Sequence, residues 1–95
     1  MREKIIEAAL VKEVKKLGGL CEKHVSPSNV GVPDRIVTLP GGIIIWVELK
    51  APGKEPTVIQ LRDHDKRRNL GCEVIVIDSL EGVDAFAKRF TSLSK

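Results

Sequence analysis

Two carboxylates and an amine stand at the ends of one apolar segment of the chain. Asp34 follows Gly31-Val32-Pro33 into the run "DRIVTL", and the stronger run "IIIWVELK" finishes on Glu48 and Lys50. Strand interiors are poor in charge, so acids carried there on rigid backbone are candidates for chemistry. If "PGG" at 40–42 closes a hairpin, antiparallel pairing brings Asp34 and Glu48 to the same end of the sheet, and Lys50 points to the Glu48 side. Two hard oxygen donors placed together suit Mg²⁺ or Mn²⁺, which take carboxylates, carbonyls and water, and the carbonyl of Leu49 is a further candidate donor. Such an ion activates a water and stabilises charge on a phosphodiester as it reacts. Lys50 would position or deprotonate that water, or steady the phosphate.

Those residues need a frame. Ile6, Leu10, Val14 and Leu17 recur at helical spacing with Lys4, Lys12, Lys15 and Lys16 opposite, which predicts a helix over 3–17 that Gly18-Gly19 ends. Glu7 falls inside the apolar arc of that helix, where an acid is out of place unless it faces a site; an acid favoured by the helix dipole is the plainer explanation. "LCEKHV" predicts a strand and "SPSNVGVP" a loop, followed by the hairpin, whose second arm is apolar on both faces and so central in its sheet. Ile44, Trp46, Glu48 and Lys50 share one face of that arm, and Ile43, Ile45, Val47 and Leu49 the other. After "APGKEP" a helix runs from Thr57 to about Leu70, "CEVIVI" is a buried strand, and Asp78 or Ser79 caps a last helix with Val83, Phe86, Ala87 and Phe90 on its apolar side. The order is helix, three strands, helix, strand, helix, an α/β unit.

The segment "GVPD", the hairpin after it and "VELKAPGKEPTVIQ" resemble the PD-(D/E)XK nucleases, and among them the VRR-NUC (virus-type replication-repair nuclease) domain in its small stand-alone form. The resemblance runs from the first helix through "GCEVIVID". It implies a restriction-endonuclease-like αβββαβ core, a central mixed sheet flanked by helices, with a C-terminal helix added. It also implies that Glu7, Asp34 and Glu48 bind divalent metal, that Lys50 is catalytic, and that Gln60 is a further motif position; Thr57 stands where the family often has serine. Gln60 has a second explanation, because Thr57-Val58-Ile59-Gln60 fits a capping box that needs no substrate. Gln60, His64 and Arg67 lie on one polar face of the same helix. His64 is expected at the surface and His24 at a strand edge.

The chain of 95 residues has room for one domain, 1–95, with a single core, and any extended substrate must be met at its surface. Its 16 Lys and Arg exceed 13 Asp and Glu, and acids that bind metal would leave the surface more basic, which favours a polyanionic partner. Arg35, Lys54, Arg62, Lys66, Arg67 and Arg68 are the candidates for holding DNA phosphates beside the cut. With only Trp46, Phe86 and Phe90 as aromatics, all on apolar faces, base stacking is not expected. Cys21 and Cys72 lack metal-ligand spacing and are expected to be small buried hydrophobes. No apolar run reaches the roughly 18 residues of a membrane span, and the N-terminus lacks a signal-peptide pattern, so a cytoplasmic protein is expected, in the host cytoplasm if phage-encoded. The expectation is an Mg²⁺-dependent endodeoxyribonuclease, Mn²⁺ substituting, with no organic cofactor and no membrane partner. A chain with one site needs a second copy to cut two strands, so a homodimer is expected. A preference for four-way junctions or other branched DNA comes from the resemblance alone. The competing readings are a nicking or sequence-preferring endonuclease and a non-catalytic nucleic-acid-binding module.

Overall fold

The computed structural model describes residues 2–91. Its elements are α1 (Glu3–Lys16), β1 (Leu20–Lys23), β2 (Arg35–Leu39), β3 (Ile43–Leu49), α2 (Val58–Asn69), β4 (Glu73–Ile77) and α3 (Leu80–Phe90), in the order that the periodicity predicts. The strands form one sheet in the order β1-β2-β3-β4, with β1, β2 and β3 antiparallel in turn and β4 parallel to β3. The crossover that parallel pairing requires is made through α2. β3 is therefore internal, as its two apolar faces imply.

Register decides which side chains meet. Arg35 lies opposite Val47 and Leu39 opposite Ile43, so continuing the ladder by one residue sets Asp34 opposite Glu48. Alternation then sorts the sheet into two faces. One carries Val37, Leu39, Ile45, Val47, Leu49 and Ile77, which pack with Ile6, Leu10 and Val14 of α1 and Val83, Phe86 and Phe90 of α3 in the hydrophobic core. Burying each such side chain contributes about 1.5–3 kcal/mol, so this face carries the folding energy. The opposite face, with Ile36, Trp46, Glu48 and Val74, is covered by α2, whose buried member is His64. Polar groups can be held there without breaching the main core.

Local chemistry fixes the ends that matter for the site. The Thr57 side chain accepts from the Gln60 amide and Gln60 returns to Thr57, a complete capping box. Ser79, rather than Asp78, caps α3 by accepting from the Gly82 amide. Gly31 has φ +83, and a Cβ there would come within 2.8 Å of Ile59 Cγ2. The loop before β2 thus lies tight against the start of α2, and only glycine allows it. Cys21 and Cys72 are half-buried rather than buried, because β1 is an edge strand and Cys72 precedes β4 outside the main core.

Candidate active site

Asp34 is pinned from both sides. Its carbonyl accepts from the His24 amide at 2.9 Å, and its Oδ2 accepts from the Leu49 amide at 2.8 Å. The second bond ties the carboxylate to the last residue of β3, directly beside Glu48. Lys50 is fixed in turn by its backbone amide, which donates to the Ile77 carbonyl at 3.0 Å. The chain thus presents Asp34, Glu48 and Lys50 from two strand ends that cannot move independently of the sheet.

Glu48 is only 1% exposed. Gln60 Nε2 donates to its Oε2 at 3.2 Å, Lys50 Nζ stands 3.9 Å from the same oxygen, and His64 Nε2 lies 3.5 Å from Oε1. Burial pushes the Glu48 carboxyl up to about 8, a hydrogen bond shared with Asp34 and the Asp34 charge add to the shift, and Lys50 opposes it. Without a cation this group therefore keeps its proton at neutral pH. The His64 imidazole is pushed the other way, first by burial and then by the positive charge of Arg68, so it stays neutral.

Gln60 completes the capping box and also touches Glu48. Its carbonyl oxygen accepts from the Thr57 amide at 2.8 Å, which turns its amide nitrogen toward Glu48. His64, expected at the surface, is instead fully buried. Its spacing from Gln60 puts it one turn along α2 on the same face, but nothing in the sequence of α2 marks that face as the buried one.

Glu7 lies on the other side of the sheet. Arg35 alternates with Asp34 and so points to α1, where its Nε donates to Glu7 Oε2 at 3.0 Å and its Nη1 to the Cys21 carbonyl at 3.0 Å. The α1 acid in the field of Asp34 and Lys50 is Glu3, whose carboxyl is raised by burial first and then by Asp34. Among the described residues no three His, Cys, Asp or Glu side chains are grouped to hold an ion. The acids that the structure brings together are Asp34 and Glu48.

The six candidate phosphate-binding residues separate into two groups. Arg35 is engaged as above. Arg67 donates to Asp63 Oδ2 at 2.7 Å and lies 4.1 Å over the Trp46 ring, and Arg68 donates to the Val74 carbonyl at 2.7 Å. Trp46 is accordingly half-buried between that guanidinium and His24, whose ring meets it edge-on at 4.9 Å, rather than sunk in the apolar core. Lys54, Arg62 and Lys66 are exposed, and Arg62 and Lys66 line a groove with Asn29, Val30 and Ile59 between α2 and the loop before β2.

No family model matches the sequence. Over 79 residues, 83% of this chain and 85% of the relative, it is 57% identical to the protein named "Putative nuclease p44" of Acyrthosiphon pisum secondary endosymbiont phage 1. A solved structure described as a VRR_NUC domain superposes with a TM-score of 0.86 over 95% of this chain and 99% of that one, at 30% identity. A mixed four-stranded sheet between helices, the paired strand-end acids with their lysine and these two relationships lead to one assignment: the chain belongs to the VRR-NUC family of nucleases.

Proposed function

We propose that this chain is a divalent-metal-dependent DNA endonuclease that hydrolyses phosphodiester bonds at Asp34, Glu48 and Lys50. The observation that carries the reading is the Glu48 carboxyl, buried against Asp34 and raised to about 8. Two carboxyl groups held together there can both ionise only if a cation takes the place of the shared proton. The donor set fits Mg²⁺ or Mn²⁺: two carboxylates, with the Leu49 carbonyl opening to the same neighbouring strand as the Leu49 amide that meets Asp34. Bound there, the ion would supply an activated water and charge stabilisation at the phosphate.

The chain's own residues supply the rest. Gln60 orients Glu48 so that its remaining lone pairs face Asp34. The Lys50 ammonium, beside Glu48, is placed to orient the attacking water or to hold a phosphate oxygen. Lys54, before α2, and Arg62 and Lys66, on α2, are exposed cations that can meet phosphates of the DNA backbone. Glu3 and Glu7 enter through α1, Glu3 by its charge near Asp34 and Glu7 by fixing Arg35.

One site per chain accounts for one strand, so cutting both strands calls for a two-fold pair. The preference for branched DNA follows from the family resemblance. Among the described residues no helix is long and apolar enough to cross a membrane, and the phage relative supports action in a host cytoplasm.

End-labelled four-way junction, flap and linear duplex DNA, incubated with Mg²⁺, Mn²⁺ or EDTA, test the proposal. Metal-dependent cutting strongest on the junction is expected. Equal cutting of all three overturns the branched preference, and no cutting with either metal overturns the nuclease reading for the isolated chain. Elution as a monomer at assay concentration, with both strands cut, overturns the two-fold pair.

A further inference from the structure

We propose that His64 is a positioning residue for Glu48: its Nε2–H donates to Glu48 Oε1, and with Gln60 at Oε2 it holds the carboxylate in a two-point clamp built from successive turns of α2. The inference deepens the nuclease reading and rests on it for its functional consequence. Its geometric basis is independent of any ion.

Glu48 Oε1 and both ring nitrogens of His64 are buried, with no hydrogen-bond partner among the described residues. The nearest match for the orphaned oxygen is His64 Nε2, 3.5 Å away. That separation is long for a hydrogen bond, and such contacts tighten when a site is loaded. Meanwhile the other carboxyl oxygen already has its donor, Gln60 Nε2 at 3.2 Å. Gln60 and His64 are four apart on one helix, so a single rigid element addresses both oxygens of one carboxyl group.

The direction of the bond is set by chemistry. An ionised carboxylate accepts only, so the nitrogen facing it must carry the hydrogen, which leaves Nδ1 as the bare nitrogen of a neutral ring. Donors on both oxygens fix the plane of the carboxylate and leave the remaining lone pairs for a cation. Partners of this kind orient ligands that would otherwise swing about their side-chain torsions. The competing explanation is that His64 merely fills space. A fully buried imidazole is then a poor choice, because an apolar side chain of similar volume would fill the space without unmet nitrogens.

Two measurements test the clamp. In metal-free protein at pH 9.5, where Glu48 is ionised, long-range ¹⁵N–¹H spectra should show the hydrogen of His64 on Nε2; finding it on Nδ1 overturns the proposal, whatever the protein does to DNA. His64→Leu keeps bulk without a donor, and His64→Gln restores an N–H near the Nε2 position. Calorimetric Mn²⁺ affinity and single-turnover cleavage should fall about 10–100-fold in His64→Leu, with its melting temperature unchanged or raised, and should recover to within about three-fold of wild type in His64→Gln. Unchanged Mn²⁺ affinity in a folded His64→Leu, or equal losses in both variants, overturns the clamp. If His64→Leu does not fold, the tautomer and the His64→Gln affinity decide. Wild-type protein that neither binds Mn²⁺ nor cuts DNA would defeat the nuclease reading instead, and the tautomer would still judge the clamp.

Discussion

Gln60 serves Thr57 with one end of its amide and Glu48 with the other: the carbonyl accepts from the Thr57 amide at 2.8 Å, and the nitrogen donates to Glu48 Oε2 at 3.2 Å. Helix capping and site assembly are therefore the same event. The turn that starts α2 also aims a donor at the buried acid.

Gln60→Ala removes both functions, so it should lower stability by about 1 kcal/mol, as loss of a cap does, and cleavage by about 10–100-fold. Gln60→Glu keeps an acceptor for Thr57, the usual capping-box arrangement, but offers Glu48 no donor. It should cut as poorly as Gln60→Ala. Thermal melts with single-turnover cleavage separate the two functions, and normal cutting by Gln60→Glu would remove the amide from the site.

The raised Glu48 carboxyl makes a stability prediction whose sign differs from the usual acid. Between the ordinary value of 4.5 and about 8 the folded chain holds a proton that the unfolded chain has released. The stability that Glu48 contributes to metal-free protein is thus fully present below about pH 4.5 and is lost as pH rises toward 8. Glu48→Gln should flatten that slope and raise the melting temperature at pH 8 by at least about 4 °C, the shift that ~1 kcal/mol produces in a chain this size. Divalent metal should restore wild-type stability most strongly at high pH, because binding displaces the proton. Melting curves from pH 5 to 8, with and without Mn²⁺, measure both effects.

Arg35 and Arg62 should behave oppositely although both are candidate phosphate-binding arginines. Arg35 is largely buried and joins Glu7 to β1, so Arg35→Ala should lower stability by about 1–3 kcal/mol through unmet partners. Its direct effect on the salt dependence of DNA binding should be small. Arg62→Ala and Lys66→Ala, both at exposed positions, should leave the melting temperature within a degree or so of wild type while each reduces the salt slope of DNA affinity by about one. Affinity titrations at several salt concentrations discriminate the two classes.

The hairpin and its acid pair were legible in the sequence because a tight turn and a period of two fix which residues face each other. If Asp34 faces Glu48, then Arg35 must face α1, and the Arg35 to Glu7 pair follows. Burial of His64 was not legible. The apolar residues of α2, Val58, Ile59 and Leu61, are exposed and the rest of the helix is polar, so its periodicity marks no inner face. Only contact with Glu48 identifies one. Trp46 has an apolar strand pattern around it, but the cation above its ring comes from another element and leaves no local trace.

The most direct test of the account is single-turnover cleavage of labelled DNA in Mg²⁺ by wild type, Lys50→Ala and Asp34→Asn, with Mn²⁺ affinity measured on the same preparations. The account predicts cutting by wild type alone, with Lys50→Ala still binding Mn²⁺ and DNA, and Asp34→Asn losing the ion. Cutting by Lys50→Ala at the wild-type rate, or undiminished Mn²⁺ binding by Asp34→Asn, would contradict it.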